Sequence, residues 1–365
     1  MTHARIRARA GTPLAVVLLR AMLVFVPIAV VAEMRHAPGQ LTFLFAALAI
    51  LPLAGVMGEA TERIASRLGA GVGGLLNATF GNAAEMIIAI AALQRGLFDV
   101  VKASLTGSIL GNSLLVLGLA IVAGGAGRER QKFDRLAATA GTTLLALAAI
   151  GMLVPALFHE IAGRASSSAR AEHDLSLVIA VVLFAAYVLS LWFSLGTHRH
   201  LYTGAQEDDP FTGSLPRAVL TLVVSTAVIA WMSELLAGAV EQASHTLGLT
   251  PVFVGVIVLA VVGNAAEHST AILCAMRDRM DLAIQIAVGS STQIALFVAP
   301  LLVFLSHAMR HGAMDLRFTS FEVLAVVVAV AVVNLVAADG ETNWLEGALL
   351  LAVYVILGIA FFYLP

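Results

Sequence analysis

Two glutamates occur in identical five-residue motifs, and they are the residues best placed to do chemistry. The sequence GNAAE is found at 81–85 and again at 263–267, which places Glu85 and Glu267 at an offset of 182 residues. Both motifs lie inside long apolar stretches, where inserting a carboxylate into a bilayer costs a few kcal/mol or more. An ionisable group in such a position is expected to be functional.

Oxygen-bearing side chains accompany both glutamates. Asn82 and Asn264 precede the glutamates by about one helical turn and therefore share their helix face. Two carboxylates that meet between the halves of a protein repel each other and share a proton unless a cation lies between them. Carboxylate, amide and hydroxyl oxygens without Cys or His suit Ca²⁺, which takes about six to eight oxygen ligands, and argue against zinc or copper. We therefore predict a metal site formed by Glu85, Glu267, Asn82, Asn264, Ser108, Ser290 and Gln293, with Ser291 and Thr292 as further oxygen donors nearby.

The same two carboxylates can carry protons. Ca²⁺ binding requires Glu85 and Glu267 to be ionised, whereas protonation neutralises the empty site, so that ion and proton compete for it. This competition predicts an antiporter that exchanges Ca²⁺ for H⁺ without a separate proton pathway. An antiporter of Na⁺ or K⁺ against H⁺ on the same scaffold is the alternative, and the pair of carboxylates favours a divalent ion.

Other function classes fit the sequence poorly. No GxxxxGK[ST] motif is present, so an ATP-driven pump is not expected. A passive channel would conduct independently of the pH gradient and fits poorly with paired carboxylates that occlude the path. An intramembrane enzyme would need a nucleophile with its base, or a metal-ligand cluster, inside the apolar stretches. The GxGxxG pattern at 69–74 follows no strand and therefore does not indicate a dinucleotide site. We expect a secondary transporter with no cofactor.

The composition places these residues in a membrane. Of 365 residues, 60% are apolar and only 12% are charged, compared with about a quarter in soluble domains. The net charge of −2 argues against a nucleic-acid partner, which requires a basic face. A single cysteine, Cys274, excludes a disulfide framework within the chain.

Hydropathy predicts an all-α polytopic membrane protein of about eleven transmembrane helices. Long apolar runs without alternation favour helices over a barrel, and each span needs about 20 apolar residues. The first span follows three arginines, but it has no cleavage pattern and is therefore interpreted as a retained helix. The predicted spans are 14–32, 41–57, 72–94, 97–123, 136–159, 175–195, 217–240, 250–274, 281–306, 319–338 and 343–363.

Basic residues in short loops predict a cytoplasmic N-terminus, because cytoplasmic loops are enriched in Lys and Arg. We expect the membrane to be a bacterial inner (plasma) membrane. Arg164 and Arg170 after the fifth span oppose this orientation mildly. The residues that favour it are Arg5, Arg7 and Arg9, then Arg128, Arg130, Lys132 and Arg135, then Arg277 and Arg279.

The motif pair belongs to a longer internal repeat. At the same offset Arg95 matches Arg277, and the pairs Gly107-Ser108 and Gly289-Ser290 also match. The motifs fall on the third and eighth spans, which cross the membrane in opposite directions and so form an inverted repeat with its site between the halves. The predicted organisation is a tail and first helix at 1–40, five-helix repeats at 41–195 and 217–365, and a cytoplasmic linker at 196–216 with the acidic run 207–209.

These motifs resemble the Ca²⁺/H⁺ antiporter (cation/proton exchanger) family of the cation/Ca²⁺ exchanger superfamily. The similar stretches are 73–90, 104–118, 254–272, 289–300 and 339–347. The resemblance implies eleven helices, export of Ca²⁺ against H⁺, Glu85 and Glu267 as the central carboxylates, and the amide and hydroxyl ligands named above. It also implies acids that guide the ion, matched here by Glu59 or Glu62 and by Glu234 or Glu241. The acidic linker is shorter than in the family, which puts a Ca²⁺-sensing role in doubt.

The guiding acids and one histidine also have plain structural interpretations. Glu59 and Glu62 lie at helical spacing from two arginines, which is typical of an amphipathic cytoplasmic face. Glu234 fits the role of a solvated acid at the membrane interface as well as it fits the role of an acid that guides the ion. His268 follows Glu267 directly and points about 100° away from it on a helix, which favours a packing or gating role over coordination.

Overall fold

The computed structural model describes residues 19–162, 168–198, 214–309 and 312–364, and almost all of these are helical. One two-stranded antiparallel ribbon joins β1 (Gln131–Lys132) to β2 (Glu341–Thr342), with Gln131 paired to Thr342. The α-helices are α1 Phe25–Met34, α2 Gly39–Phe80, α3 Ala83–Gln94, α4 Phe98–Leu110, α5 Leu117–Gly125, α6 Arg135–Ala162, α7 Ser168–Trp192, α8 Leu215–Leu247, α9 Pro251–Phe253, α10 Ala260–Met276, α11 Met280–Gln293, α12 Ala299–Ser306, α13 Ser320–Ala337 and α14 Trp344–Tyr363. The all-α polytopic fold predicted from hydropathy is confirmed.

The candidate spans agree with the predicted ones to within a few residues, with two exceptions: the predicted span 41–57 extends to Gly39–Leu68, and the predicted span 217–240 extends to Leu215–Leu247. In the described part of the chain, eight helices are long and apolar enough to cross a membrane, and the number rises to ten when each of two bent pairs counts as one span. The first predicted span begins at residue 14, outside the described residues. The acidic run 207–209 and the N-terminal arginines Arg5, Arg7 and Arg9 also lie outside them. The count of eleven stays a prediction.

The first GNAAE motif coincides with a break between two helices. Helix α2 ends at Phe80, α3 begins at Ala83, and the helices on either side of the break meet at 42°. Gly81 and Asn82 are weak helix formers, and Asn82 occupies the N-cap position of α3. The break therefore places Glu85 in the first turn of α3, where free backbone N–H groups and the helix dipole favour negative charge.

Two π-helical segments follow the serines of the repeat. Gly111–Val116 follows Ser108 at the end of α4, and Ile294–Val298 follows Ser290 at the end of α11. Such segments are rare and occur frequently at functional sites. The two π-helical segments lie at closely corresponding positions of the sequence repeat. The π-helical turn is therefore a feature of the repeated unit.

Helix α4 crosses the segment before the second motif at very short range. A Cβ atom added at Gly255 would lie 2.6 Å from the Ala103 side chain and 3.0 Å from the Val100 carbonyl oxygen. A Cβ added at Gly107 would collide with the Val256 backbone. The two glycines thus allow the helix that carries Ser108 to pack directly against the chain that leads to Asn264.

The apolar interior is divided into two clusters. The larger cluster is centred on α4 to α7 and α11 to α14. The smaller is formed mainly by α1, α2 and α8, with Ala83, Ala84 and Ile88 from α3. The helix that carries Glu85 therefore lies between the α2–α8 pair and the larger cluster.

Candidate functional site

Asn264 of the second motif is held by two side chains from the first repeat. Its amide nitrogen donates to the Ser108 hydroxyl at 2.9 Å, and its amide oxygen accepts from the Asn112 amide nitrogen at 2.8 Å. All three side chains are buried. The contacts join residues more than 150 positions apart and bring α4 and α10 together at the motif.

Asn82 of the first motif is held in the same manner by the second repeat. Its amide nitrogen donates to the Gln293 side-chain oxygen at 2.5 Å. The Ser290 hydroxyl hydrogen-bonds to the Glu267 carboxylate. Each motif asparagine is thus oriented by an amide from the opposite repeat, and six of the seven predicted site residues are joined by contacts.

Glu85, the seventh residue, joins this group by packing against the second motif. A Cβ atom added at Gly263 would lie 2.8 Å from Glu85 Cγ and 3.4 Å from its Cδ. Glu85 and Glu267 are also close enough for their charges to interact. The structure therefore brings together all seven residues that the sequence predicts for the metal site.

Several oxygens in this group are buried without a hydrogen-bond partner in the described part of the chain. They are both carboxylate oxygens of Glu85, one of Glu267, and the amide oxygens of Asn82 and Asn112. Burying an oxygen without a partner is unfavourable, and buried polar groups in proteins are generally paired. Five such acceptors in one place have the chemistry of a site for a hard cation or for protons.

Lys102 and Arg20, two basic residues that lie within predicted spans, are engaged elsewhere. Lys102 is buried, and its ammonium group lies 2.6 Å from Asp315 and donates to the Arg317 carbonyl oxygen at 3.0 Å. Arg20 lies 3.4 Å from Glu59 at the surface. Among the described residues, neither Glu85 nor Glu267 forms an ion pair, so their charges are left for a bound cation or protons to balance.

A comparison with protein families matches residues 39–196 and 217–363 to the family described as sodium/calcium exchanger protein. The chain belongs to this family. It is a family of transporters and not of enzymes, and the resemblance inferred from the motifs is thereby confirmed.

Relatives of this exchanger carry more specific names. It is 46% identical to a protein of Synechocystis named Ca(2+)/H(+) antiporter, over 94% of this chain and 96% of that protein. It is 42% identical to the Ca(2+)/H(+) antiporter ChaA of Bacillus subtilis, over 93% of this chain and 97% of that protein. Its fold matches the solved structure of native YfkE with a TM-score of 0.82 and 40% identity, covering 96% of this chain and all of that one.

Asn112 contacts the candidate site, although the sequence alone did not single it out. The repeat offset pairs Gly111 with Gln293 and Asn112 with Ile294, so alignment of the two halves hides their equivalence. The structure shows that the two amides act alike, because each bonds to the asparagine of the opposite motif. The sequence signal that could have identified Asn112 is the presence of an amide side chain in the largely apolar stretch after Ser108.

The hydroxyls of Ser291 and Thr292 are already used. Ser291 donates to the carbonyl oxygens of Ala287 and Ile109, at 3.0 and 3.3 Å. Thr292 donates to the Val288 carbonyl oxygen at 2.8 Å. Both hydroxyl protons are bound by backbone carbonyl oxygens, and only the bond from Ser291 to Ile109 joins two helices.

The four acids predicted to guide the ion lie at the protein surface. Glu234 accepts from the Arg95 guanidinium at 2.6 Å, and Glu59 lies 3.4 Å from both Arg20 and Arg63. Glu62 and Glu241 are exposed. These placements fit the solvated interpretation as well as the guiding one, and the guiding role stays a prediction.

His268 is half-buried beside Glu267, and its Nε2 atom has no hydrogen-bond partner in the described part of the chain. Its packing or gating role also stays a prediction. No three His, Cys, Asp or Glu side chains cluster anywhere in the described ranges. The candidate site therefore depends on two carboxylates with amide and hydroxyl oxygens.

Proposed function

We propose that this exchanger exports Ca²⁺ from the cytoplasm in exchange for H⁺, and that Glu85 and Glu267 bind either Ca²⁺ or protons. The observation that carries the proposal is the pair of carboxylates from opposite repeats, whose buried oxygens include three that lack hydrogen-bond partners among the described residues. The names of the relatives support the same cargo. Ca²⁺ and H⁺ are transported ions here and not cofactors.

The donor set favours Ca²⁺ among cations. Two carboxylates, the amide oxygens of Asn82 and Asn112, and nearby hydroxyls provide hard oxygen ligands of the kind that Ca²⁺ accepts in flexible geometries. Mg²⁺ demands a nearly ideal octahedron and gives up its water reluctantly. Monovalent ions would leave one of the two negative charges unbalanced.

Protons provide the second half of the exchange. When both carboxylates are protonated, the site is neutral and can change its exposure across the bilayer without carrying a desolvated charge. Because Ca²⁺ binding requires the ionised carboxylates, loading the ion displaces protons, and protons arriving from the other side displace the ion. Exchange follows because one site holds either Ca²⁺ or protons and not both.

Alternating access requires a boundary along which the protein moves. The two repeats, 41–195 and 217–365, meet at the site with inverted topology, and the linker 196–216 joins them at the cytoplasmic side. The α2–α8 pair and its own apolar cluster lie on one side of α3 and the larger cluster lies on the other. We place the moving boundary along this division, in a bacterial inner membrane with the N-terminus in the cytoplasm.

Transport by the purified protein in liposomes tests this function. With an acidic lumen, we expect uptake of external Ca²⁺ to accompany proton efflux, and an ionophore that dissipates the pH gradient should stop it. Excess external Na⁺ or K⁺ should not replace Ca²⁺. Proton efflux driven by Na⁺ or K⁺ alone would support the monovalent antiporter instead, and Ca²⁺ flux that ignores the pH gradient would indicate a channel.

A further inference from the structure

A shallow apolar groove lies on the surface between α2 and α8, away from the candidate site. Its volume is about 280 Å³, and its apolar lining consists of Leu23, Leu53, Val56, Leu220, Val224 and Val228. Leu23 belongs to a 3₁₀ turn, Met22–Val24, that immediately precedes α1. A 3₁₀ turn within a helix often marks a functional position or a strained one.

The groove offers no free polar group to a ligand. Its two polar lining residues bond within their own helix, since Thr221 donates to the Arg217 carbonyl oxygen at 2.8 Å and Ser225 donates to the Leu222 carbonyl oxygen at 3.1 Å. Leu220 and Val224 on its rim are more than half exposed. Because α2 and α8 are both spans, this surface lies in the hydrocarbon of the bilayer and is covered by acyl chains.

One end of the groove is basic. Arg217 lies one helical turn before Leu220, and Arg20 lies one turn before Leu23. Arg20 reaches Glu59, which lies one turn after Val56, so these residues share the same end of the groove. Arg217 is exposed and has no ion pair among the described residues. Glu59 is also shared with Arg63, at 3.4 Å, so the guanidinium groups at this end outnumber the carboxylate that pairs with them.

We propose that this groove is a binding site for an anionic phospholipid, with one acyl chain along α2 and α8 and the phosphate against Arg217 and Arg20. Anionic headgroups are attracted to arginines near the membrane surface, and the long arginine side chain reaches the headgroup level while its stem remains in apolar surroundings. A groove with an apolar body and a basic end matches such a lipid in both of its parts. The bound lipid contacts both members of the α2–α8 pair.

Fluorescence quenching by brominated lipids tests the site directly. Trp231 lies one turn after Val228 on the same face of α8 and is half exposed, so it reports on a chain in the groove. With Trp192 and Trp344 replaced by phenylalanine, the full-length protein in detergent is titrated with brominated phosphatidylglycerol or brominated phosphatidylcholine. We expect phosphatidylglycerol to quench Trp231 at the lower lipid ratio.

Three variants separate the headgroup from the chain. Arg217→Gln should raise the half-quenching ratio of phosphatidylglycerol about five-fold, the effect of one arginine near an anionic headgroup. Val224→Phe, which fills the groove, should reduce quenching by both lipids. Arg35→Gln, an exposed arginine at the far end of α1, should change nothing. Equal quenching by the two lipids would overturn the proposal, and so would quenching that neither Arg217→Gln nor Val224→Phe changes. A change of oligomeric state in Val224→Phe would also overturn it, because it would mark the groove as a contact between copies of the chain.

Discussion

Replacing Glu85 or Glu267 with glutamine is expected to reduce proton-driven Ca²⁺ uptake to the level of protein-free liposomes. Glutamine keeps the size and an amide oxygen but can neither carry charge nor bind a transported proton. Removing one partner of a buried, charge-balanced site costs about 3 to 5 kcal/mol, which corresponds to a loss of affinity of about 100-fold or more. Uptake of radioactive Ca²⁺ into liposomes with an acidic lumen measures this loss.

Glu322 provides the matched control for these variants. It is as deeply buried as Glu85, but its carboxylate caps α13 by accepting from the Thr319 backbone N–H at 2.8 Å and from the Thr106 hydroxyl at 3.3 Å. We expect Glu322→Gln to lower stability and to retain coupled uptake. Retention of uptake by both Glu85→Gln and Glu267→Gln, at levels near those of Glu322→Gln, would rule out the assigned role.

A single methyl group at Gly263 is expected to raise the half-saturating Ca²⁺ concentration by about ten-fold or more. The added Cβ atom of Gly263→Ala would lie 2.8 Å from Glu85 Cγ, so the glutamate must shift away from the second motif. Overpacking of this kind costs about 1 to 3 kcal/mol, and here the displaced group is a proposed ligand. Initial rates of uptake against Ca²⁺ concentration in liposomes measure the effect.

Gly289 provides the matched control, because a Cβ atom there meets no atom of the described residues within 4 Å. Gly289→Ala lies on α11 near Ser290 and should leave both transport and the midpoint of thermal unfolding nearly unchanged, since alanine is the better helix former. A Gly263→Ala protein that transports like Gly289→Ala would show that contact between Glu85 and the second motif is unimportant for ion binding.

The sequence alone predicts the fold class, most span boundaries and seven polar residues that lie together in the structure, whose role as ion ligands stays a prediction. Long apolar runs identify spans because the bilayer requires about 20 apolar residues, and the repeat identifies Glu85 and Glu267 because duplicated acids inside spans are rare. The break at Gly81 and Asn82 and the π-helical segments were not predicted. Both depend on local backbone hydrogen bonds that hydropathy does not report.

Sequence reasoning missed which side chains meet across the repeats. Gln293 is longer than asparagine by one methylene group, and Asn112 lies one position beyond the repeat equivalent of Gln293, yet each reaches the asparagine of the opposite motif. The close approach of Gly263 to Glu85 and the pairing of Lys102 with Asp315 likewise join distant segments. The repeat offset of the sequence shows which positions are equivalent. It does not show how far each side chain extends or which side chain it contacts.

Proton release on Ca²⁺ binding is the measurement that shows whether both ions compete for the carboxylates of Glu85 and Glu267. In weakly buffered detergent solution, Ca²⁺ added to the purified protein should release up to two protons per ion bound, and Ca²⁺ affinity should rise with pH as the carboxylates lose protons. The variant that combines Glu85→Gln with Glu267→Gln should release none. If the unmodified protein binds Ca²⁺ with an affinity that does not change with pH, and releases no protons on binding, then Ca²⁺ and protons do not compete for these carboxylates.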